Sequence, residues 1–234
     1  MYLKIFFENL GECILYITQK DFFEEIIKHL PIESEISVDR ETISFKVDIS
    51  YCGKHVVDRA FSGIVGFSEK SKEIILFFGE SQPRNYISII GRVLGPTHYL
   101  KWIENMSLIT LGRYRDYGYL GKIAWELRNK GFLAGARDWE DSSSIVLIAY
   151  DVPLEIFRDK NLYIIETAPI FLYDETLSTK MFIKDIREMT SFSRVDINKD
   201  NFVILSMLSD KENLPINIWR LSIEFKRVTR LLTF

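Results

Sequence analysis

Gly63-Ile-Val-Gly-Phe67 and Glu73-Ile-Ile-Leu-Phe-Phe-Gly79 carry the reading of the fold. The two apolar runs flank a short charged connection, Ser68-Glu-Lys-Ser-Lys72. Runs of this length, rich in Ile and Phe and bounded by Gly and Ser, read as paired strands. A third run, Tyr86-Ile-Ser-Ile-Ile-Gly-Arg-Val93, closes at Gly95-Pro96. Together they predict a small, closed, antiparallel β structure.

Working back toward the start, Tyr2–Phe7 and Glu12–Ile17 are β-prone runs joined by Glu8-Asn-Leu-Gly11, which suits a hairpin. Phe22, Phe23, Ile26, Ile27 and Leu30 recur at helical spacing. That helix is expected to start at Thr18 or Asp21 and to stop at Pro31. Ile32–Val38 and Thr42–Ile49 follow as strands. In the second, Ile43, Phe45, Val47 and Ile49 alternate with Ser44, Lys46 and Asp48, the pattern of a half-buried strand. Ser50–Ser62 reads as a loop, and Thr97–Met106 as a short helix with Pro96 at its start.

The rhythm changes near Asn105–Leu108, which predicts a domain of residues 1–106 and a second, mixed α/β domain of residues 107–234. In the latter, Leu108–Leu111, Ile145–Tyr150, Leu162–Leu172 and Phe202–Leu208 read as strands. Tyr117–Lys130 reads as a helix capped by Gly131, and Leu177–Met189 as another. Asn217–Phe234 fits both periods imperfectly. Strand is the expectation for its first half, with helix left open.

Composition narrows the function classes. The chain has 234 residues, 47% hydrophobic and 27% charged, with a net charge of −3. That balance suits a packed α+β protein. It disfavours a globally basic nucleic-acid binder, so nucleic acid is not an expected partner. No apolar run approaches the roughly 18 residues that span a bilayer, and the N-terminus lacks the pattern of a signal peptide. A cytoplasmic, non-membrane protein is the expectation. Two cysteines, Cys13 and Cys52, leave no disulfide framework. Gln occurs only at Gln19 and Gln82, and with plentiful Ile, Lys and Glu this points to a thermophilic source.

The order of elements in the first half, with Ile32-Glu-Ser-Glu-Ile-Ser-Val38, Ile43-Ser-Phe45, Gly63–Phe67, Ile75-Leu-Phe-Phe-Gly79 and Tyr86–Gly95, resembles the small prokaryotic cyclophilin-like proteins of unknown function. The resemblance covers roughly residues 1–106. It implies an eight-stranded cyclophilin-like barrel closed by short helices, and it does not imply prolyl isomerase activity. Family members often carry an aromatic-Pro-Pro-Gly turn where this chain has Phe67-Ser-Glu-Lys-Ser-Lys72. Of the arginine, glutamine and aromatics that form a proline pocket in true cyclophilins, only Arg59 and Phe61 offer a partial match. Residues 107–234 resemble no family.

The densest mixture of reactive side chains is Tyr51-Cys52-Gly-Lys-His55-Val-Val-Asp58-Arg59-Ala-Phe61. A Cys–His pair can activate a thiolate, whereas the plainer reading is a connecting loop. Loops on rigid barrels are also where ligands are held. Tyr51, Cys52, His55, Arg59 and Phe61 are therefore the ligand-binding candidates. His29, His55 and His98 are far apart, so neither a metal nor a cofactor is expected. Arg113, Tyr114, Arg115, Tyr117, Arg137 and Trp139 bracket the Tyr117–Lys130 helix and should be partly exposed. Arg with aromatics suits a protein interface, including that of a homodimer. The basic tail Trp219–Arg230 reads as a solvated face, with a polyanion contact as the sharper alternative. No phosphate loop, dinucleotide fingerprint or nucleophile elbow occurs. The expected function is a non-catalytic binding module for a peptide or small ligand. A divergent prolyl isomerase or hydrolase working from the 51–61 loop is the alternative.

Overall fold

The structure, a computed structural model, describes residues 1–8, 10–53 and 56–232. Its contacts divide into two compact units, residues 1–117 with 136–143, and residues 118–135 with 144–234. The sequence-expected division at Asn105–Leu108 falls at the start of a barrel strand of the first unit.

The first unit contains β1 (Tyr2–Phe7), β2 (Gly11–Ile17), α1 (Lys20–Ile26), β3 (Ile32–Asp39), β4 (Thr42–Lys46), β5 (Val56–Val57), β6 (Ile64–Ser68), β7 (Glu73–Phe77), β8 (Ile87–Val93) and β9 (Leu108–Arg113). Pairing runs β1–β2–β8–β6–β7–β4–β3–β9 and returns to β1, every step antiparallel. The ring of eight strands is closed, which removes the unpaired edges an open sheet would carry. Alternation explains the interior. Leu3, Ile5 and Phe7 of β1 and Ile43 and Phe45 of β4 point inward and are buried, as are Val47 and Ile49 just beyond. Phe22 and Ile26 of α1 close part of the same core.

Two expectations change in this unit. α1 starts after Gln19 with no side-chain cap, rather than at Thr18 or Asp21. Thr97–Met106 holds only a 3₁₀ turn, His98–Trp102, because Ile103 returns to extended backbone and Met106 has φ 66°. Tyr99, Leu100 and Ile103 are buried, and Trp102 and Met106 are exposed.

The second unit contains α2 (Gly118–Asn129), most of β11 (Ser142–Ala149), β12 (Val152–Asp159), β13 (Leu162–Thr167), β14 (Phe171–Leu172), α3 (Leu177–Met189), β15 (Arg194–Ile197), β16 (Phe202–Ser209) and α4 (Leu214–Leu232). β10 (Leu133–Trp139) contributes residues to both units. β11, β12, β13 and β16 pair in antiparallel sequence. β14 and β15 pair with β16 as well. Ile145, Ile156 and Ile165 are cross-strand neighbours and share one core with Ile183 and Ile186 of α3 and Ile218, Leu221 and Val228 of α4. Gly131, at φ 91°, ends α2: its N–H bonds the Arg128 carbonyl, and the Phe132 N–H bonds that of Leu127.

The tail is a helix, not the strand expected for its first half. Leu214, Ile218, Leu221 and Val228 are buried at helical spacing, and Pro215 sits in the first turn, where a missing N–H costs little. β10, β12 and β15 went unread in the sequence. β10 carries a buried arginine, β12 carries Pro153, and both disrupt the alternation on which strand assignment depends.

Candidate functional site

The outer face of the barrel carries short polar side chains where β3, β4 and β7 run side by side. Ser37 lies opposite Ser44, and Ser44 opposite Ile75. Small side chains leave a depression, and the segment Ser81–Tyr86 crosses over it. That strap is fixed at one end by paired backbone hydrogen bonds between Ala60 and Ser81, each 3.1 Å. It is tied in the middle by Arg84, whose guanidinium is 3.3 Å from the Asp39 carboxylate. At its other end it enters β8.

The strap separates two hollows. One, about 310 Å³, has Ser37, Ser44, Thr42 and Ile75 as its floor and Asp39, Arg40 and Glu73 among its walls. The other, about 670 Å³, is lined by Val56, Asp58, Phe67, Lys70 and Tyr86. Gln82, Pro83, Arg84 and Asn85 line both. The smaller hollow offers hydroxyls that donate or accept and charges of both signs. The larger adds aromatic and aliphatic surface. No motif marked the strap in the sequence. Its one local signal was Gln82-Pro-Arg-Asn85, a turn-forming stretch before a strand.

The Tyr51–Phe61 loop borders this region. Tyr51 packs edge-on against Phe22, with centroids 5.2 Å apart, and against Phe67 at 6.0 Å. It anchors the loop to the barrel wall. Val56 and Asp58 reach the larger hollow. Cys52 is exposed, and the Glu69 carboxylate, which accepts a hydrogen bond from its S–H and repels the thiolate, raises its pKa above the ordinary thiol value. Arg59 is ion-paired with Glu80, and Phe61 is exposed. His55 lies outside the described residues. Cys13 is in the core, its thiol pushed up to about 12 by burial despite the opposing influence of Arg137.

The expected exposure of the Arg–aromatic segments holds only in part. Arg113, Arg115 and Tyr117 are exposed, but Tyr114, Arg137 and Trp139 are buried. Arg137 is 2% exposed. Its guanidinium carbon is 4.1 Å from the Tyr99 ring centre and 5.3 Å from that of Trp139. A planar, weakly hydrated cation stacks on rings in this way, so the arginine joins the core of its unit instead of its surface. The Tyr117 hydroxyl donates to Glu12 at 2.7 Å and to Asp138 at 3.2 Å.

The second unit holds two carboxylates with displaced pKa values. Glu224 of α4 is buried and accepts from the backbone N–H groups of Ser191, Phe192 and Ser193 and from the Ser193 hydroxyl. Burial alone would raise its pKa, but these donors outweigh it and the net shift is downward. Glu166 is pushed up to about 7 by burial first, and then by repulsion from Glu155 and Asp196. Among the described residues, no group of His, Cys, Asp or Glu is placed to hold a metal ion. None of the described helices is long and apolar enough to cross a membrane.

Comparison with known proteins yields little beyond the barrel. No curated protein matches the chain. The solution structure of a hypothetical protein, AF2241 from Archaeoglobus fulgidus, is 25% identical with a TM-score of 0.43, covering 49% of this chain and 95% of that one. Residues 1–112 match the family described as cyclophilin-like. That span ends one residue short of the end of β9, the strand that completes the ring, and the N-terminal barrel of this chain is cyclophilin-like.

Proposed function

We propose that the chain is a non-catalytic binding module whose barrel holds a peptide or small polar ligand in the hollows on either side of the Ser81–Tyr86 strap. The observation that carries this reading is the strap itself, a segment fixed at both ends over a floor of serine hydroxyls and shared by two hollows. Such concave sites with a few convergent polar groups are where ligands bind. The state of the reactive residues supports binding over covalent chemistry. Both thiols have pKa values shifted upward, away from an activated thiolate, and Arg59 is already paired with Glu80.

Amide chemical-shift mapping of the whole protein with a series of short proline-containing peptides tests the reading. The amides of Ser37, Ser44, Gln82, Arg84 and Asn85 should shift. Ser44→Trp, which fills the floor, should abolish the shifts, and Cys52→Ala should leave affinity within a few-fold. Shifts confined to other surfaces would overturn the assignment. Turnover lost on Cys52→Ala by about a thousandfold would replace it with an enzyme working from the 51–61 loop.

A further inference from the structure

α3 and α4 both expose apolar side chains that their own core does not use. On α4, Ile216, Trp219 and Ile223 are 42, 40 and 45% exposed. Steps of three and four place them on one stripe, away from the buried Leu214, Ile218 and Leu221. The stripe continues along the helix into Arg227 and Arg230, with Lys226 beside it. The nearest carboxylate in sequence, Glu224, is turned inward onto the Ser191–Ser193 backbone. No described carboxylate is paired with Lys226 or Arg227. On α3, Leu177 and Met181 are 75 and 58% exposed and four residues apart. Asp174 and Glu175 stand immediately before them, both exposed.

We infer that this chain forms a two-fold dimer in which α3 of each copy packs antiparallel against α4 of the other. In that orientation Leu177 and Met181 cover Ile223 and Trp219, and Asp174 and Glu175 meet the basic end of α4. The lengths agree. At about 1.5 Å of rise per residue, Trp219 to Ile223 and Leu177 to Met181 each span about 6 Å, so the two apolar pairs are in step. Antiparallel packing also sets opposite ends of the two helix dipoles against each other. A two-fold axis uses the pair twice and closes the assembly. A helix lying on an anionic membrane would instead carry basic residues along both flanks of its apolar stripe. Here apolar and basic residues succeed one another along a single stripe, which matches a partner helix with the same order of chemistry.

Sedimentation velocity of the full chain over micromolar to hundred-micromolar concentrations, together with vesicles of anionic lipid, tests this. The wild type should be a dimer that ignores the vesicles. Trp219→Glu and Leu177→Glu should each raise the dissociation constant by about a hundredfold or more. Both side chains are exposed, so circular dichroism should stay native. Arg227→Glu should weaken the dimer, and adding Glu175→Arg should restore it. A wild type that stays monomeric throughout, or binds vesicles as a monomer, overturns the proposal. So do folded Trp219→Glu and Leu177→Glu proteins that dimerise as the wild type does. A charge swap that fails to restore association overturns the antiparallel register.

Discussion

The barrel and the second unit both bury charge, and they do it differently. In the barrel's unit the buried cation Arg137 sits over the rings of Tyr99 and Trp139. In the second unit the buried anion, Glu224, is gripped by three consecutive backbone N–H groups and a hydroxyl. The architectures explain the contrast. A closed ring pairs most of its backbone between strands, so side chains take a larger part in satisfying a charge buried beside it. A helix-covered sheet has loops between its elements, and the free N–H groups of one such loop are available to an anion. Glu224 therefore joins the α3–β15 connection to α4.

The largest effect should come from the barrel core. Phe45→Ala removes a ring packed among Ile43, Phe67 and Ile74 and should cost about 3–5 kcal/mol, read as a lowered midpoint in urea. A loss below about 1 kcal/mol would mean the ring is not packed as described.

Glu224→Gln comes next, at about 2–3 kcal/mol, because a neutral amide replaces a charged acceptor of several hydrogen bonds. The pH dependence has a definite sign. The folded pKa lies below the ordinary 4.5, so the contribution is full above that value and is lost as pH falls through the lower folded value. Urea titrations should show wild type and variant converging in acid. A constant gap at every pH would remove the charge from the explanation.

Glu166→Gln should act in the opposite direction, as a gain of about 1–2 kcal/mol at pH values above the folded pKa, allowing for its partial exposure. With the folded pKa raised to about 7 from 4.5, wild-type stability falls as pH rises across that interval. The gain should disappear below it. A variant that is less stable than wild type in alkali would show that the glutamate is held charged by a partner.

The smallest effect sharpens the contrast between the two thiols of the barrel. Cys52→Ala should change stability by less than about 0.5 kcal/mol. A thiol reagent should label the native protein once, at Cys52, and reach Cys13 only on unfolding. Rapid native labelling of Cys13 would mean that the core around Tyr99 and Arg137 opens.

Local pattern made much of the fold legible. The alternation in Thr42–Ile49, the helical stripe of Phe22 and Ile26 and the cap at Gly131 each depend on residues a few positions apart, and each is where the sequence places it. Where pattern and tertiary setting conflicted, the reading failed. The first half of Asn217–Phe234 alternates polar and apolar residues well enough to suggest a strand, yet the core of the second unit selects Ile218, Leu221 and Val228 and makes it helix. Arg137 looked like a surface residue because charge usually is one, and only the rings of Tyr99 and Trp139, distant or offset in sequence, make it a core residue. The candidate site divides the same way. The 51–61 loop was visible by its composition. The strap and its serine floor were not, because Ser37, Ser44 and Gln82–Asn85 belong to separate segments that strand pairing alone brings together. Sequence by itself determined the barrel's main strands, the α2 and α3 helices and the apolar faces of Thr42–Ile49 and α1, since those follow from propensity and period. Only the tertiary structure decided ring closure, buried charge and the hollows beside the strap, since these depend on contacts between segments that no local pattern encodes.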